Sequence, residues 1–155
     1  MSKPQSDFIL FYAAEPTGIP DWKAPSDSEN QPHLVELGAL LVEPATGKEV
    51  SSMDLVISPE EQWSIPQEVV DIHGIDEAMA HRIGVPETMA LTIFCALWRR
   101  HSTVSYNAQF DKRIVRIGLK RHGFSEILQE DWKEGDHHCT MKMAQSALDR
   151  KRIKM

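Results

Sequence analysis

The stretch FILFYAAEPTG, Phe8–Gly18, is an unbroken apolar run from Phe8 to Ala14 followed by one carboxylate, a proline and a turn. Continuous hydrophobicity fits a strand buried on both faces, and Pro16-Thr17-Gly18 has the residue types that end one. Glu15 therefore stands at the strand's tip. A carboxylate at the carboxyl end of a central strand is where open α/β sheets place their chemistry. A solvated turn glutamate is the other reading, since Glu is mostly exposed.

Downstream, Leu34–Val42 and Val50–Ile57 read as strands joined by the turn Pro44-Ala45-Thr46-Gly47-Lys48. Between the first strand and this hairpin lies Ile19–His33, a long surface loop rich in Pro, Ser, Asp and Glu, of the kind that forms lids or binding loops. Trp22 within it either pins the loop or stacks on a ligand. Ser64-Ile65-Pro66-Gln67 has the form of a capping box for a short helix through Val69, Val70 and Ile72 that Gly74 ends, and Asp76 caps another through Met79. Pro86–Arg100 predicts a helix whose apolar face, Met89, Ala90, Ile93, Phe94, Leu97 and Trp98, is core. A strand follows at Thr103–Tyr106. Asn107 then caps a helix that turns Phe110, Ile114 and Ile117 inward and carries Lys112, Arg116 and Lys120 along its opposite side. Thr140–Leu148 is the last predicted helix, with Thr140 as its cap and Met141, Ala144 and Leu148 as its seam. Three strands before a crossover to a fourth predict an α/β fold with a mixed sheet and helices packed on it.

The chain has 155 residues, 41% hydrophobic and 26% charged, with a mean hydropathy of -0.36. These values describe a single globular domain over 1–155, with a core at 7–148 and a basic tail at 149–155. No apolar run reaches the roughly 18 residues of a membrane span. MSKPQSDF lacks the apolar segment of a signal peptide, and Cys95 and Cys139 are too few for a disulfide framework, so a cytoplasmic protein with reduced thiols is expected. A net charge of -6 argues against binding nucleic acid through a global field. Local basic patches exist: Lys112, Arg113, Arg116, Lys120 and Arg121, and the tail Arg150, Lys151, Arg152 and Lys154. They are either solvated faces or contact surfaces.

Asp111 is the second carboxylate of interest, in the first turn of the helix that Asn107 opens. There it complements the helix dipole. If its strand lies beside that of Glu15, two carboxylates converge at one end of the sheet, an arrangement usually stabilised by a divalent cation.

FYAAEPTG resembles the first motif, F-D-x-E-T-T-G, of the DEDD exonucleases, the DnaQ-like branch of the ribonuclease H-like fold. LVELGALLVEPATGKEV resembles their second and third strands, IPQEVVDIHGID their I-P-x-x-a-x-x-I-H-G-I-t segment, YNAQFD their second motif and CTMKMA the stretch after it. The resemblance covers about residues 8–148 in the right order. It implies hydrolysis of phosphodiester bonds at the 3′ end of single-stranded DNA or RNA, with two Mg2+ or Mn2+ ions about 3.5–4 Å apart. By the same resemblance Glu15 and Asp111 are catalytic metal ligands, and Thr17, Gly18 and Asn107 contact the terminal nucleotide. His73 lies near that terminus or is a structural histidine of a tight turn.

Two departures qualify what is implied. Ala13 stands where the family carries the aspartate that bridges both metals, and neither H-x-x-x-x-D nor Y-x-x-x-D occurs in the sequence. His137 and His138 are read as surface residues, with poor spacing for zinc. The resemblance thus implies weak or absent metal binding and little activity, or a pseudo-exonuclease that serves as a binding or interaction module. It also implies a fold whose terminal helix is missing, leaving an apolar face for a homodimer or a complementing chain.

Overall fold

A computed structural model describes residues 7–153. Lys154 of the expected basic tail lies outside the described residues. Five strands form one sheet: β1 (Ile9–Pro16), β2 (Leu34–Glu43), β3 (Lys48–Val56), β4 (Ser102–Ser105) and β5 (His137–Cys139). Their order is β3-β2-β1-β4-β5. The β1–β2 and β2–β3 pairs are antiparallel, whereas β4 lies parallel to β1 and β5 parallel to β4. This is the expected mixed sheet. The helices are α1 (Gln67–His73), α2 (Glu77–Ile83), α3 (Glu87–Trp98), α4 (Ala108–Arg121), α5 (Glu126–Lys133) and α6 (Thr140–Ile153).

The core sits on one face of the sheet. Leu10, Tyr12 and Ala14 of β1 pack with Leu37 of β2, Phe94 and Trp98 of α3, and Ile114 of α4. Trp132 of α5 is fully buried among them, edge-on to Tyr12, Phe94 and Trp98 at ring-centroid distances of 5.6, 5.5 and 5.0 Å. Such aromatic pairs add roughly 0.5–1.5 kcal/mol each beyond their burial. Gly118 allows α4 to approach α3, because a Cβ there would lie 2.8 Å from Leu91 Cδ1. A second cluster, Val35, Ile65, Val69, Ile75 and Ala80, seats α1 and α2 at one end.

Several expectations change. β1 is buried on one face only: Phe11 is 40% exposed and Ala13 is exposed. An apolar run reports that a strand is central, but a second buried face needs an element to cover it, and none of the described residues does so. In α3 the buried stripe is Ala90, Leu91, Phe94 and Trp98, while Met89 and Ile93 face solvent. Ser64 caps nothing. Pro66 holds the α1 N-cap without a side-chain bond, and the Ile65 N–H instead donates to Glu77 Oε1 at 2.9 Å. Gly74, at φ 76°, closes α1 as expected, since glycine adopts that left-handed conformation without a Cβ penalty. Asp76 caps α2, accepting from the Met79 N–H at 2.8 Å.

His137 is structural rather than superficial. It shares a hydrogen bond with Thr103 Oγ1, and its Nε2 lies 2.6 Å from the Trp132 carbonyl oxygen, so it ties β5 to β4 and α5. His138 is half-exposed and pairs with Asp136 at 3.0 Å. The 17–33 loop is clamped. The Gln31 amide, 2% exposed, bonds the backbone of Asp21, Ala24 and Pro25. Arg113 donates to the Ala24 carbonyl, and Arg121 to those of Gln31 and Pro32. Trp22 pins the loop too, lying under the Arg113 guanidinium at 5.9 Å.

Candidate functional site

β1 ends in an irregularity between Glu15 and Pro16, where its pairing with β2 shifts register. Thr17 leaves the sheet but stays tied to it: its N–H donates to the His33 carbonyl at 2.8 Å, and its hydroxyl accepts from the His33 N–H at 3.0 Å. A cavity of about 480 Å³ opens there, lined by Glu15, Thr17, Gly18, Ile72, His73 and Phe110 among others. Four of the sequence-predicted residues thus meet at one place. Gly18 is not forced by packing, since a Cβ there would meet nothing within 4 Å.

His73 lines the cavity and also makes the turn expected of a structural histidine. Its Nδ1 accepts from the Ile75 N–H at 3.1 Å, which makes the turn after α1. Its Nε2 is buried without a hydrogen-bond partner among the described residues. Asn107 does not line the cavity. It caps α4, accepting from the Phe110 N–H.

Asp111 reaches the site from α4 because β4 lies parallel to β1, which brings the start of α4 beside Ala14. The Ala14 N–H donates to Asp111 Oδ1 at 3.2 Å. Burial pushes the Asp111 carboxyl up to about 6; that hydrogen bond opposes the shift and the charge of Glu15 adds to it. Asp111 does not line the tip cavity, but it lies at the same end of the sheet as Glu15, close enough for that charge to act on it.

Sequence reading missed a further pair. On the open face of the sheet Glu15 stands opposite Glu36, and Gly38 opposite Asp54. A hydrogen bond with Asp54, then burial, then the charges of Asp54 and Glu15 push Glu36 up to about 7. The signal was available in VELGAL and SSMDLV, where alternation puts Glu36 and Asp54 on one face once the hairpin register is known.

This donor set does not fit a two-metal centre. Such a centre asks for several oxygen ligands per ion. Asp111 has one oxygen engaged by Ala14, Ala13 brings only a methyl group, and Glu36 is turned to Asp54. Among the described residues no group of three or more His, Cys, Asp or Glu is placed to hold a metal ion.

The sheet order, the parallel β1–β4 pair and the site at the β1 tip define an α/β fold of the ribonuclease H-like class. Solved structures of exonuclease I superpose on it: a product-bound form (TM-score 0.75, 15% identity, covering 93% of this chain and 32% of that one) and the E. coli enzyme with a dT13 oligonucleotide (0.75, 15%, 92% and 30%). A metal-free E. coli complex with single-stranded DNA is similar (0.76, 15%, 92% and 30%). At that identity they establish the fold, and this chain spans about a third of their length. The exonuclease family model, RNase T, matches residues 15–153. The chain belongs to that family, the DnaQ-like DEDD 3′–5′ exonucleases. No curated protein matches it by sequence. No described helix is long and apolar enough to cross a membrane.

Proposed function

We propose that this chain is a DnaQ-like exonuclease domain that receives the 3′ end of a single-stranded DNA or RNA at the β1 tip and cleaves it at little or no rate. The observation that carries this reading is the position of Ala13, on the open face one strand step from Glu15 and paired with Gly38. A carboxylate there is one of the groups that the resemblance calls for, and the methyl group supplies none. Glu15, Thr17, Gly18 and His73 still line a cavity at the tip. Ile19, 79% exposed, also lines this cavity and offers apolar surface to an unstacked base. Glu15 and Asp111 are the residues on which weak binding of Mg2+ or Mn2+ would depend. Free thiols at Cys95 and Cys139 suit a reducing compartment such as the cytoplasm.

The test is digestion of end-labelled single-stranded DNA and RNA with Mg2+ or Mn2+. The chain as it stands should release little product, and Ala13→Asp should raise release tenfold or more. Robust digestion by the unaltered chain that Glu15→Ala abolishes would overturn the reading.

A second reading rests on the open face itself, where Phe11, Leu40 and Val42 flank the carboxylates and are only partly covered. That surface suits a second copy of the chain or a complementing chain. Size-exclusion chromatography over a concentration series should then show association, and a monomer at every concentration rejects it.

A further inference from the structure

On the other side of the first turn of α4 from the tip cavity lies a larger groove of about 720 Å³ between α4 and α6, at the β5 edge of the sheet. Six cations line it: Lys112, Arg113 and Arg116 from α4, Lys133 from α5, and Lys142 and Arg150 from α6. No Asp or Glu is among its lining residues. This concentration runs against a chain whose net charge is -6. Among the described residues, none of the six is in an ion pair. Arg113 and Arg116 each have a buried Nε without a hydrogen-bond partner among the described residues. Burial, with the charges of Arg116 and Lys133, pushes the Lys112 ammonium below its ordinary value, against the pull of Glu134. Trp22, 47% exposed, also borders the groove.

We propose that this groove binds the phosphodiester backbone of a single-stranded nucleic acid, with Trp22 as a stacking platform for a base. Positive side chains that track a backbone beside an aromatic ring are how proteins hold single strands without sequence preference. An acidic peptide would also answer the charge. The strand is favoured because the groove abuts the β1 tip: Phe110 lines the tip cavity while Ala108 and Gln109, in the same turn of α4, line the groove. A strand in the groove can therefore pass over this turn and end at Glu15. That last step rests on the proposed function, whereas affinity in the groove does not.

Fluorescence anisotropy of a labelled linear oligothymidylate tests both parts. If about five phosphates are contacted, log affinity should fall against log salt with a slope of roughly -3.5. Lys133→Glu with Lys142→Glu, both on exposed positions, should lower affinity tenfold or more at low salt with the melting temperature unchanged. Should the pair perturb folding, Lys142→Gln alone should still weaken binding about threefold and flatten the salt slope by roughly one phosphate's share. A circular single strand, which has no end, should compete for the groove. Affinity that these variants leave unchanged overturns the proposal. So does a polyglutamate peptide that binds more tightly than the oligonucleotide and shows the same variant dependence. If linear and circular strands bind equally and the variants weaken both, the groove stands and the 3′-end reading falls. If linear strands are preferred and the variants have no effect, the reverse holds.

Discussion

Along β1, Leu10, Tyr12 and Ala14 are at most 6% exposed and lie against α3, α4 and α5, while Phe11, Ala13 and Glu15 alternate with them on the open side. Two populations of side chain thus share one strand. The packed population supplies cohesion, and the open one supplies the chemistry of the tip. Because the side-chain period of a strand is two, a change at either set should leave the other nearly untouched. The difference teaches that packing and the polar groups of the tip are assigned to alternate residues of one strand.

The sharpest way to break this comparison is on the packed side. Trp132→Ala should cost about 3–5 kcal/mol in urea unfolding, since it empties a fully buried site and removes the hydrogen bond from its indole N–H to the Lys112 carbonyl at 3.0 Å. A loss below about 1 kcal/mol would mean that the aromatic cluster is not what holds α5 to the sheet.

The packed side also has an ionic element. Glu87, 6% exposed, has His33 Nδ1 at 3.3 Å and His122 Nε2 at 3.4 Å from its Oε2. Burial would raise its pKa, but these partners outweigh burial and lower it from 4.5 to about 2. A depressed carboxyl contributes stability that is complete above pH 4.5 and lost as pH falls toward 2. The lost share is roughly 3 kcal/mol. Glu87→Gln should start less stable and show a flatter decline over that interval. Parallel declines of the two proteins would refute the assignment.

The smallest expected effects lie on the open side. Phe11→Ala should change unfolding free energy by less than about 1 kcal/mol, and Ala13→Asp by about 0.5 kcal/mol, as for exposed positions. Thermal melts of both would suffice. A large destabilisation by either would show that the open face is covered in solution, which sharpens the case for an associating chain.

The hairpin, the crossover to β4 and the caps Asp76 and Asn107 were legible because each is a local signal. β5 was not, because three residues, His-His-Cys, carry no strand pattern and are made a strand by pairing with β4. α5 was legible in principle: Ser125 caps it, accepting from the Leu128 N–H, and Leu128 and Trp132 share its inner face. Arg113 and Arg121 read as part of a basic patch, yet both spend hydrogen bonds on the 17–33 loop, whose carbonyls come within reach only in the folded chain. The site divides in the same way. Glu15 and Asp111 were named from motifs, but the Glu36–Asp54 pair needed the hairpin register, a property of two strands together.

The open position of Ala13 also bears on inheritance. Alanine and aspartate codons can differ by a single base, and at a solvent-facing strand position with only Gly38 opposite, neither residue disturbs the packing behind it. A lineage could lose this carboxylate and regain it without the fold recording either event. The shape of such a domain therefore preserves ancestry far longer than it preserves an ability to cut.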